Sequence, residues 1–128
     1  MQSPQLQLYN RIFEKVQELG VSVIDVKDQF QSLPYPFVAV SDVQEKKQIF
    51  TNDSFNGHLT AKVDIWSRSE DKGAHYDLLS QCDAILTFMD DIEGYQVNFS
   101  DLLTNTMVDN DTDGDLIHSS LVVEYTLY

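Results

Sequence analysis

His58-Leu59-Thr60-Ala61-Lys62-Val63-Asp64-Ile65-Trp66-Ser67-Arg68 alternates strictly. Leu59, Ala61, Val63 and Ile65 fall on one side, and Thr60, Lys62, Asp64 and Trp66 on the other. That period of two is the signature of a strand with one face on a core. The polar Ser67–Gly73 break follows, and the period then changes. Leu78, Leu79, Cys82, Ile85, Leu86 and Met89 recur at three- and four-residue spacings over Ala74–Met89, one stripe of an amphipathic helix. A strand feeding a helix, each with one apolar face, buries both by packing them together, and the remaining elements are expected to assemble around that unit.

Working outward toward the N-terminus, Ser3-Pro4 opens a first helix, with Ser as N-cap and Pro where its missing N–H costs nothing. Tyr9, Ile12, Phe13, Val16 and Leu19 form its apolar stripe, and Gly20 suits a left-handed stop. Val21–Val26 reads as a short strand. Pro34-Tyr35-Pro36 imposes an extended passage before Phe37–Val43, a strand apolar on both faces at its start and therefore placed inside the sheet. Gln44–Gly57 is polar around Ile49 and Phe50, a long loop or hairpin tip whose Ile49, Phe50 and Phe55 suit docking on a partner.

Toward the C-terminus, Tyr95–Phe99 alternates as a strand and Asp101–Val108 reads as its irregular continuation. Asp109–Asp115 is an acidic turn. Leu116–Tyr128 is a long final strand, with Leu121, Val123 and Tyr125 on one face and Val122 on the other, pairing with 95–108 as a hairpin and with the central strand. The expected fold is a single α+β domain over 1–128: a small, mixed or mostly antiparallel sheet of four to five strands with two helices on one face.

Composition narrows function. The 128 residues are 42% hydrophobic and 11% aromatic, with five Gly and three Pro, which describes a folded domain. No apolar run reaches membrane-span length, and the opening residues lack the basic start and apolar core of a secretion signal, so a soluble protein made in a cytosol is expected. Cys82 sits on the apolar stripe and reads as a small core residue. The formal net charge is −13, and it is lopsided. Residues 73–128 hold eleven acidic and no basic groups, while 1–72 hold ten acidic and eight basic. Such a surface disfavours attractive nucleic-acid binding, which needs cations against phosphates. It suits either solubility alone or a surface that repels DNA or docks a basic partner.

No catalytic set emerges. Asp109-Asn110-Asp111-Thr112-Asp113-Gly114-Asp115 has oxygen donors at alternate positions and Gly sixth, like the opening of a calcium loop, yet position twelve is Ser120 instead of a bidentate Glu. An Asp/Asn/Gly hairpin turn explains the same residues. His58, His75 and His118 have no mutual spacing that suggests zinc, and none reads as standing beside a plausible Ser or Cys nucleophile. No phosphate-cradling glycine loop is present, and no cofactor is expected. Trp66 and Arg68 close the central strand on its non-core side, a pair enriched where protein surfaces meet; Trp66 covering the core's edge is the plainer reading.

Tyr35-Pro36-Phe37-Val38-Ala39-Val40, the string His58–Arg68, the helix Tyr76–Leu86 and Asp113-Gly114-Asp115-Leu116-Ile117-His118 before a last strand, taken in that order, resemble the tail-completion or tail-terminator proteins of long-tailed bacteriophages. The likeness runs from the first helix to the C-terminus. It departs at Gln44–Gly57, longer and more polar than the family pattern, so no role for that loop carries over. The resemblance implies a structural virion protein, not an enzyme. Such a protein forms a homo-oligomeric ring, commonly a hexamer, that ends the tail tube and performs head–tail joining to the connector protein, assembling in the host cytoplasm. Double-stranded DNA passes through its channel without specific binding, and no membrane is involved. Asp109, Asp111, Asp113 and Asp115 are then candidates to face the channel, where negative charge keeps phosphates off the wall. Trp66 and Arg68 are candidates for the subunit interface, and Ile49, Phe50 and Phe55 for docking on the tube or connector. The alternative is an acidic DNA mimic that inhibits a nucleic-acid-binding enzyme.

Overall fold

The computed structural model describes residues 3–28, 34–50, 54–92, 94–111 and 114–127; for 47–50, 54–56, 91 and 111 it describes the backbone. Ser3 accepts the Leu6 N–H at 3.2 Å and Pro4 takes the first helical position, so α1 runs Pro4–Gln17. Leu8, Ile12 and Val16 form its fully buried stripe, with Tyr9 and Phe13 partly buried against it. Leu19, expected on that stripe, is 36% exposed because it lies beyond the cap at Glu18 and has left the helical phase. Gly20 follows at φ 84°, where a Cβ would be strained.

The strands are β1 (Ser22–Asp25), β2 (Phe37–Val40), β3 (Gln44–Phe50), β4 (Ser54–Arg68), β5 (Asp91–Ile92), β6 (Tyr95–Asp111) and β7 (Gly114–Leu127). The second helix, α2, spans Lys72–Thr87 between β4 and β5. Strand order is β1-β2-β4-β7-β6-β5, and β3 pairs with β4 in line with β2. Among the described strands only β1 and β2 run parallel; the other pairs are antiparallel. The α+β reading and the final hairpin against the central strand hold. Among the described residues the sheet is wider than expected, at seven strands. The polar stretch after Gln44 is the β3–β4 hairpin, and the short β5 caps the start of β6. Asp101–Val108 is regular strand, with the irregularity confined to one bulge between Phe99 and Asp101.

Register assigns the faces. Leu59, Ala61, Val63 and Ile65 of β4 lie beside Tyr125, Val123, Leu121 and Ser119 of β7, on the side that carries both helices. Leu78, Cys82 and Leu86 of α2 close over them, and the Tyr125 hydroxyl donates to the Leu86 carbonyl. Burial pushes the Cys82 thiol up to about 12, as a small core residue should show. No described helix is long and apolar enough to cross a membrane.

Candidate functional site

The opposite, helix-free face of the sheet carries the more unusual chemistry. Each strand contributes alternate residues there: Phe37 and Ala39 from β2, Asp64, Trp66 and Arg68 from β4, His118 and Ser120 from β7. These form a cross-strand ladder. Phe37 stacks near Trp66 at 6.5 Å between ring centroids, and Trp66 lies flat on His118 at 3.9 Å and 7°. Tyr35 continues the row beside Phe37, and the Arg68 guanidinium sits 5.0 Å above its ring. Trp66 Nε1 is buried with no hydrogen-bond partner among the described residues.

Beside the aromatic row, on the same face, lies Asp64, 4% exposed. Its Oδ1 accepts from His118 Nε2 at 2.8 Å and from Ser120 Oγ at 2.6 Å. Burial works to raise its pKa, but these two bonds, with Lys62 nearby, outweigh it and hold the carboxyl below its ordinary value. Asp64, His118 and Ser120 have the composition of a nucleophilic triad without its geometry. A relay needs the acid and the hydroxyl on opposite ring nitrogens. Here both sit at Nε2, with Ser120 Oγ 3.4 Å from it and already donating to the carboxylate.

A second polar set is sealed under α2. His75, 1% exposed, bonds Ser67 Oγ through Nδ1 at 2.8 Å and Ser119 Oγ through Nε2 at 2.7 Å, and Ser119 continues to Thr106 Oγ1 at 2.7 Å. Both ring nitrogens are used, so the imidazole ties α2 to β4 and β7 at once. Burial, reinforced by His118 across the sheet, lowers its pKa and keeps the ring neutral. On α1, Tyr9 donates to Asp25 at 2.7 Å, and burial together with that bond raises the phenol's pKa.

The residues singled out from sequence scatter. Trp66 and Arg68 sit within the outer ladder, as their phase requires. Ile49, Phe50 and Phe55 lie on β3 and β4, but their side chains fall outside the described residues. Asp113 and the side chain of Asp111 do so too. Asp109 and Asp115 share the β6–β7 hairpin end yet point apart: Asp109 pairs with Leu116 on the outer face, and Asp115 pairs with Asn110 on the helix-bearing one. Ser120, the twelfth position of the loop pattern, is held by Asp64 within the sheet. Among the described residues no three His, Cys, Asp or Glu gather closely enough to hold a metal ion. His58 Nδ1 approaches Glu124 Oε1 at 3.2 Å, a distance for an ion pair without the alignment of a hydrogen bond. Sequence reasoning missed the Asp64–His118–Ser120 set. Its signal was there in phase: a carboxylate in the middle of the polar side of the central strand, and two polar residues two apart on the strand beside it.

A groove of about 550 Å³ runs between the helices, lined by Arg11, Lys15, Ile85, Phe88, Met89 and Asp90 among others. Phe88, at the α2 C-cap, is 80% exposed there.

No protein-family model matches this sequence, and no curated protein matches it. The fold is shared with a solved chain from the virion of a native gene transfer agent particle, at a TM-score of 0.68 and 9% sequence identity, over 98% of each chain.

Proposed function

We propose that this chain is a structural virion protein: a subunit of a ring, hexameric on the tail-terminator reading, that ends the tail tube and joins it to the head connector. The observation that carries the proposal is the end-to-end likeness in fold to a chain of a gene transfer agent virion, over 98% of each chain. The sequence resemblance points the same way. The two polar sets are consistent with it, since their hydroxyls and imidazoles are spent on one another and on tying elements together.

The ring assembles in the host cytoplasm and resides at the head-proximal end of the tail. The acidic half of the chain, with its eleven carboxylates and no cation, faces passing DNA and keeps phosphates from settling on the wall. Asp109 and Asp115 leave the hairpin on opposite faces, so one of them at most looks directly into the lumen.

The test is particle assembly with and without the protein. Its presence in purified particles, with tubes left unjoined to heads when it is removed, is the expected result. Joined, infectious or gene-delivering particles made without it refute the proposal. A pull-down that returns a nuclease or polymerase in place of tube and connector proteins favours the DNA-mimic alternative.

A further inference from the structure

β6 is an edge strand for most of its length. β5 pairs only with Tyr95 and Gln96, and Val97 N–H donates to Asp90. From Asn98 to Asp111 no described strand lies on its outer side. Protein sheets blunt such edges with lysines, prolines or bulges. Here the bulge and the Asp101 carboxylate, which accepts from Leu102 N–H at 2.9 Å, protect the first part alone. Beyond them Leu103-Thr104-Asn105-Thr106-Met107-Val108 has no charge and no proline. Leu103, Met107 and Val108 are 59%, 51% and 58% exposed. An uncharged segment with exposed apolar side chains on an open edge is a template for another strand.

The same sheet has a second open edge. β3 pairs with β4 on one side and, from Lys46 onward, has no described strand on the other. It is seven residues long, close to the bare stretch of β6, and carries Lys46 and Lys47. The bare stretch is flanked by Asp101 and Asp109 in a half of the chain with no cation. We infer that β6 of one copy receives β3 of a second copy, so that the sheet continues from subunit to subunit. The two edges differ, so the contact is head-to-tail and repeats around a closed ring. This rests on the ring reading above, and adds to it which strands meet.

Register supplies the test. Lys46 lies beside His58 on the outer face, and Leu103, Asn105 and Met107 share that face. The full chain carrying Lys46→Cys is combined in turn with Leu103→Cys, Asn105→Cys or Met107→Cys, oxidised, and run without reductant. One register should give a ladder of covalent multiples, collapsed by reductant and absent with Lys46→Cys alone. Separately, Leu103→Lys with Met107→Lys should raise the concentration of half-assembly by roughly tenfold or more, while thermal unfolding of the subunit stays where it was. An assembled ring that yields no ladder in any register, or that forms unchanged in the double lysine variant, overturns the edge pairing and leaves the ring standing. Cross-links that form only to a tube or connector protein overturn it as well. A chain that stays monomeric throughout overturns both.

Discussion

β4 and β6 are close in length, 15 and 17 residues, and opposite in situation. β4 has neighbours on both sides, helices over one face and the aromatic ladder over the other, and from Leu59 to Ile65 its odd positions are fully buried. β6 has β7 on one side, and from Asn98 to Asn110 every residue except the half-buried Leu102 and Asp109 is exposed. The interior strand is written by its own core. The edge strand keeps Leu103, Met107 and Val108, which are exposed and lie outside the core cluster.

Substitutions at matched apolar positions should separate the two strands most widely. Ile65→Ala in β4 is expected to cost about 2–5 kcal/mol in urea unfolding, through lost burial and the cavity left behind. Leu103→Ala in β6 should stay within about 0.5 kcal/mol for the isolated subunit. Equal losses at both would mean that β6 is covered within its own chain.

The polar ties of β4 come next. His75→Ala leaves the buried Ser67 and Ser119 hydroxyls short of partners and should cost about 1–3 kcal/mol. Its pH dependence has a definite sign. The folded-state pKa lies below the ordinary 6.5, so the unfolded chain binds this proton first on acidification. The stability it provides is therefore complete above pH 6.5 and is lost as pH falls below it. His75→Gln should flatten that part of the stability–pH curve; an unchanged slope would place the titration elsewhere. Asp64→Asn acts lower on the scale. Its depressed pKa makes the carboxylate stabilising above 3.8 and progressively less so as pH falls through the folded value. A loss of about 1–3 kcal/mol at pH 7 that shrinks in acid is expected, measured by denaturation at several pH values. Smallest for the subunit is the double lysine change at Leu103 and Met107, which should be silent in stability and visible only in assembly.

How much of this was legible in sequence follows the same division. β4 and α1 could be read because burial imposes a period, and because Ser3, Pro4 and Gly20 mark the helix ends with their own backbone chemistry. β3 could not, since Gln44-Glu45-Lys46-Lys47-Gln48 is polar on both sides and a hairpin strand needs no alternation. β6 looked irregular for a related reason: exposure on both faces removes the period, and the bulge near Ser100 shifts what remains. The outer ladder and the Asp64 set were invisible because they depend on register. His118 meets Asp64 across 54 residues of chain, and only the β4–β7 pairing brings them level. Asp109 and Asp115 were grouped by proximity in sequence; their strands turn them to opposite faces.

Native mass spectrometry of the full-length chain over a rising concentration series, alone and beside finished tail tubes, asks whether the subunit is made to close on itself. A single closed multiple of the subunit mass, six copies for the tail-terminator ring, is the expected result. A monomer at every concentration, with tubes or without, would contradict it.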